Sequence, residues 1–135
     1  MKNILLITAL VLGFANISFA QYDGIQAAVK EINSILATAP TALEITVEEN
    51  GATKKNDIAN SVVYDFNLND VSLIQYEKQL NQFMVKFACA SGKKCFHCEE
   101  NLGGGIIHYI EASSEADAKK LVEAFMYLKK EIKFY

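Results

Sequence analysis

The sequence predicts an α+β fold: an N-terminal helix, an antiparallel sheet or roll of about six strands, and a closing C-terminal helix. Three observations carry this. Apolar residues recur at three- and four-residue spacing near both ends of the chain. The middle alternates apolar and polar residues with a period of two, and short polar or glycine breaks separate the alternating segments. Such breaks are too short for a crossover between parallel strands, so consecutive strands are expected to pair antiparallel.

The first helix is expected from Asp23 to Ala37, with Ile25, Ala28, Val29, Ile32, Ile35 and Leu36 on one face and polar residues on the other. Asp23 followed by Gln26 has the form of a capping box, and Pro40 lies beyond the far end. Leu43, Ile45 and Val47 then alternate with Glu44, Thr46 and Glu48 as a strand wet on one face, and Asn50-Gly51 is a turn signal. The segment from Thr53 to Asn60 reads as a polar connection. In SVVYDFNL the residues Val62, Tyr64, Phe66 and Leu68 share a face. VSLIQYEK, QFMVKFACA, CFHCEE and IIHYIEA follow as further strands, the second with Phe83, Val85, Phe87 and Cys89 on one side.

The last helix opens on Ser114, with Asp117 three residues on. It carries the stripe Ala118, Leu121, Val122, Phe125, Leu128 and Ile132, ending near Ile132. Glu115 and Asp117 sit at its positive end and Lys129, Lys130 and Lys133 at its negative end, placements that favour the helix by about 0.3–1 kcal/mol each. With no internal repeat and no linker, residues 21–135 are expected to form one domain.

Residues 1–20 follow the order of a secretory signal peptide: Lys2, an apolar run from Ile4 to Ala15, and the small-large-small end Ser18-Phe19-Ala20. The run falls short of the roughly 20 residues needed to span a bilayer, so cleavage after Ala20 and a periplasmic or secreted location are expected, with no transmembrane segment left. The remaining 115 residues hold 12 lysines, no arginine and 16 acids, a net charge of −4. The lysines come in isolated pairs among acids, which argues against nucleic acid and anionic membrane surfaces as partners. Lack of arginine removes the bidentate fork used for phosphate.

The strand order, the hairpin from Gly92 to Cys95 (GKKC) and a closing helix with Ala118, Leu121, Ala124 and Phe125 resemble small secreted bacterial domains with a pleckstrin-homology-like roll. The resemblance covers about residues 60–132 and implies a scaffold on which binding surfaces are common and catalysis rare. The tryptophan usual in the closing helix of eukaryotic pleckstrin-homology domains and their basic phosphoinositide pattern are absent, so lipid binding is not carried over to any residue.

Cys89, Cys95 and Cys98 are the disulfide candidates in an exported chain, and their odd number leaves one thiol over. Residues three apart on a flat strand face opposite ways, whereas Cys89 and Cys95 flank a Ser-Gly-Lys-Lys turn. The pair 89–95 is therefore favoured, with 89–98 second. The alternatives are a zinc set of Cys89, Cys95 and Cys98 with His97 or His108, and thiol redox chemistry through Cys95-Phe96-His97-Cys98. The redox spacing lacks the helix N-terminus that lowers a thiol pKa and lies beside Glu99 and Glu100.

Gly103, Gly104 and Gly105 precede a strand, not a helix, which disfavours a phosphate cradle and suggests a flexible turn, a bulge or a flap. His108 alternates with Ile106 and Ile110, the position of a half-buried, hydrogen-bonded histidine. No catalytic residue, cofactor or metal is called for. The expected function is therefore a non-catalytic exported domain that binds a protein, peptide or envelope component through a sheet edge or a groove beside the closing helix. Rival expectations are a thiol or zinc protein and an inhibitor of an exported enzyme.

Overall fold

The computed structural model describes residues 23–98 and 104–132, so the expected signal peptide, Gly103, Glu99, Glu100 and Lys133 lie outside the described residues. Helix α1 spans Ile25–Leu36. Eight strands follow: β1 Leu43–Val47, β2 Ala52–Asp57, β3 Val62–Asn67, β4 Val71–Gln79, β5 Gln82–Cys89, β6 Phe96–Cys98, β7 Gly104–Gly105 and β8 Ile107–Ala112. Helix α2, Glu115–Glu131, closes the chain. The strands form two antiparallel sheets, a five-stranded one in the order β1-β2-β3-β6-β7 and a three-stranded one in the order β4-β5-β8. This is the expected α+β fold. The six strands foreseen from alternation are β1, β3, β4, β5, β6 and β8, and the two unforeseen ones are β2 and β7.

Strand β2 corrects the polar-connection reading of Thr53 to Asn60. Thr53 and Lys55 point inward and are buried, while Lys54 and Asn56 point out. The segment pairs along its length with both β1 and β3, so backbone pairing on two sides overrides its poor strand composition. Thr53 is tolerated inside because its hydroxyl donates to the Gly51 carbonyl at 2.9 Å. The β1–β2 turn needs glycine at 51: φ is 91°, and a Cβ there would meet Asn67 Oδ1 at 2.5 Å.

The inner residues of α1 are the expected ones, Ala28, Val29, Ile32, Ile35 and Leu36. Its start differs. Gly24, at φ 97°, is the N-cap and makes no side-chain cap bond, so Asp23 does not close a capping box. The chain is tied there by the Gly24 amide donating to the Tyr127 hydroxyl of α2 at 3.1 Å. Helix α2 does start as expected, with the Asp117 amide donating to Ser114 Oγ at 3.1 Å. It packs on all three strands of the smaller sheet and on α1. At the centre, Phe87 of β5 meets Phe125 of α2 edge-on, with centroids 4.9 Å apart. Both helices and both sheets contribute to one contiguous apolar core.

The outer edge of β1 is closed by α1. Asn33 Nδ2 donates to the Ile45 carbonyl at 2.9 Å, and the Ile45 amide donates to Asn33 Oδ1 at 2.7 Å. Gln26 reaches the Val47 carbonyl at 3.4 Å. Two side-chain amides thus take the place of a neighbouring strand and protect an edge that would otherwise pair with another chain. No helix among the described residues is long and apolar enough to cross a membrane.

Candidate functional site

Cys89 and Cys95 form a disulfide with Cα atoms 5.8 Å apart, the pair that the hairpin geometry favours. The 3₁₀ turn Ala90–Gly92 between them brings the two sulfurs together, with Ser91 at φ 59°. Closing so short a loop contributes about 2 kcal/mol through the unfolded chain. Such a bond belongs to oxidising compartments. It also uses up two of the three thiolates of the zinc alternative and removes Cys95 from the redox motif. Cys98 is the free thiol, half-buried on β6 opposite Tyr64 of β3. His97 and Cys98 are strand neighbours and face opposite sides of the sheet. Among the described residues no group of three or more histidines, cysteines or acids is placed to hold a metal ion.

His108 and His97 are far apart in role. His97 lies on the outer face, lining a shallow cleft of about 330 Å³ with Lys54, Asp65 and Asp70. His108 points inward from β8, where its ring stacks on Phe96 at 5.2 Å and tilts against Tyr64 at 4.8 Å. Its Nε2 contacts the Lys55 ammonium. Lys55 Nζ also sits 4.6 Å above the Tyr64 ring and is 6% exposed. Burial lowers the Lys55 pKa from 10.5 to about 8, against the opposing charge of Asp57. Burial, with the Lys55 charge second, takes His108 down to about 3. A neutral imidazole therefore accepts from the ammonium at neutral pH. The pair satisfies a polar contact where the two sheets meet, and the amine is too enclosed to meet a substrate. Lys55 escapes sequence reasoning because two lysines adjoin; only the inward parity of Thr53 and Lys55 would have singled it out.

The glycine run is not a free turn over its described part. Gly104 and Gly105 pair as β7 with His97 and Phe96, and the Cys95 amide donates to the Gly105 carbonyl at 3.1 Å.

The outer edge of β4 is the contrast to β1. Gln79 and Gln82 flank the two-residue turn of the β4–β5 hairpin, so they exchange backbone bonds, and Gln75 and Glu77 likewise face β5. The amides and carbonyls of Ile74, Tyr76 and Lys78 therefore face outward. Among the described residues they have no hydrogen-bond partner. Only at the far end, past the bulge between Val71 and Leu73, does Lys129 of α2 donate to the Val71 carbonyl. Further along, Lys119 Nζ lies 5.7 Å above the Tyr76 ring. The three-stranded sheet has two outer strands, and β4 is the one whose edge α2 flanks in this way. The result is a trough with an unpaired strand edge on one side and a helix on the other. The sequence shows both walls as elements, but their apposition depends on tertiary packing. Comparison of the chain with family models, curated proteins and solved structures finds no match.

Proposed function

We propose that the protein is an exported, non-catalytic domain, periplasmic or secreted, that binds an extended segment of a protein or peptide along the outer edge of β4. One observation carries this reading: β1 is closed by Asn33 and Gln26, whereas β4, a nine-residue strand, keeps three residues' worth of outward backbone groups unpaired beside α2. An edge of that length is a hazard for aggregation unless it is covered or used, and added strands gain affinity from main-chain bonds. The disulfide supports an oxidising compartment, and the two sheets with their closing helix are read as a pleckstrin-homology-like roll.

The test is a titration of the isotopically labelled protein with a synthetic extended peptide, followed by amide chemical shifts. The reading expects shifts at Ile74, Tyr76 and Lys78, lost when alternate peptide nitrogens of the probe are methylated. Shifts confined to the outer cleft around His97 would overturn it.

An inhibitor of an exported enzyme is the second reading, favoured by Leu80. This leucine is 93% exposed at the tip of the β4–β5 hairpin and holds φ at 53°, a conformation that costs a leucine about 1–2 kcal/mol. On this reading Leu80→Asn loses inhibition while peptide binding at β4 is retained.

A further inference from the structure

We infer, on the reading that β4 is a docking edge, that the segment it takes has an acidic residue, an apolar residue two positions on, and a second acidic residue two beyond that. Lys119, Val122, Met126 and Lys129 are spaced three, four and three residues apart, which places them within about 80° of one helix face. Both lysines reach β4, one at Tyr76 and the other at Val71, so this face is the helix wall of the trough. Between them lie half-buried Val122 and Met126, the latter 52% exposed.

The spacing fixes the pattern. Lys119 and Lys129 are separated by about 15 Å along the helix. Side chains on one face of an added strand repeat every 6.6 Å or so, and residues four apart are therefore about 13 Å apart. Two acids at that interval meet the two lysines, and the residue midway faces Val122 and Met126. Charge points the same way: the chain carries a net charge of −3, yet this trough is bordered by Lys78, Lys119 and Lys129. Lys119 already meets Glu115 at 3.4 Å, but both side chains are more than half exposed, so that pair yields readily to a partner carboxylate.

The probe is the blocked peptide Thr-Glu-Thr-Val-Thr-Glu-Thr, compared with versions carrying glutamine or lysine in place of both glutamates. Binding is followed by amide shifts of the labelled full-length protein. The glutamate peptide is expected to shift Ile74, Tyr76 and Lys78 and to bind about tenfold more tightly than the glutamine one, from two exposed charge contacts. The lysine peptide is expected to be weakest. Lys119→Gln with Lys129→Gln should equalise the glutamate and glutamine peptides without removing the β4 shifts. Equal affinity of all three peptides, with β4 shifts present, overturns the acidic pattern and leaves the docking edge standing. No shift at those three amides with any of the peptides overturns the docking edge itself.

Discussion

Replacing Lys55 by methionine is expected to change how stability depends on pH, by an amount the structure sets. The lysine is 94% enclosed and its pKa falls from 10.5 to about 8, chiefly by burial. A pKa depressed in the folded state means that the stability linked to this group is present above the unfolded value, 10.5, and is lost as pH falls through about 8. Below pH 8 the buried ammonium thus costs about 3 kcal/mol. Methionine keeps the stem and much of the volume but leaves His108 Nε2 without its donor, which costs about 1–3 kcal/mol. The two terms nearly balance at pH 7, so the absolute change there is small or modestly stabilising. The pH trend is the sharper quantity. Between pH 7 and pH 10 the wild type gains about 2.5 kcal/mol from this group and the variant gains none of it. Urea unfolding of both proteins at the two pH values, with the disulfide intact, measures the difference. A stability difference between them that stays constant across that range would refute the burial argument.

Other substitutions test the two sheet edges and the disulfide. Lys78→Pro removes an outward amide and is expected to leave the β4–β5 ladder standing, whereas Glu77→Pro removes a ladder bond and should cost about 3 kcal/mol in urea unfolding. Asn33→Ala uncovers both the amide and the carbonyl of Ile45; chemical denaturation should show a loss of about 1–3 kcal/mol, with increased self-association in light scattering. Alkylation of the unfolded, unreduced protein should add one label, at Cys98, and three after reduction, read by intact mass and peptide mapping.

Periodicity carried the α+β class because each predicted element buries its apolar face. The inward residues of α1, β1 and β5 are those that the three-, four- and two-residue spacings select, and so are Ala118, Leu121, Phe125 and Leu128 of α2, where Ala124 is buried and Val122 of the expected stripe is only half-buried. Strand β2 was hidden because its inward positions are threonine and lysine, which satisfy themselves with the Gly51 carbonyl and His108 instead of packing as apolar groups. Strand β7 was hidden because glycine has no strand preference, and pairing with Phe96 and His97 supplies what composition does not. Gly24 displaced Asp23 as the cap because its φ of 97° lets the chain turn into the helix one residue later. The disulfide was legible because a tight turn separates Cys89 from Cys95. The trough was not, since the meeting of Lys119 and Lys129 with β4 depends on how α2 lies across the sheet, which no local pattern encodes.

Hydrogen exchange along β4 is the most direct test of the open edge on which the proposed function rests. In the free protein the amides of Ile74, Tyr76 and Lys78 should exchange fast and those of Gln75, Glu77 and Gln79 slowly, while the Ile45 amide, held by Asn33, should be slow. Adding the glutamate peptide should slow the three fast amides and leave the others unchanged. Uniformly slow exchange along β4 in the free protein, or no slowing of the three amides at saturating peptide, would contradict the account.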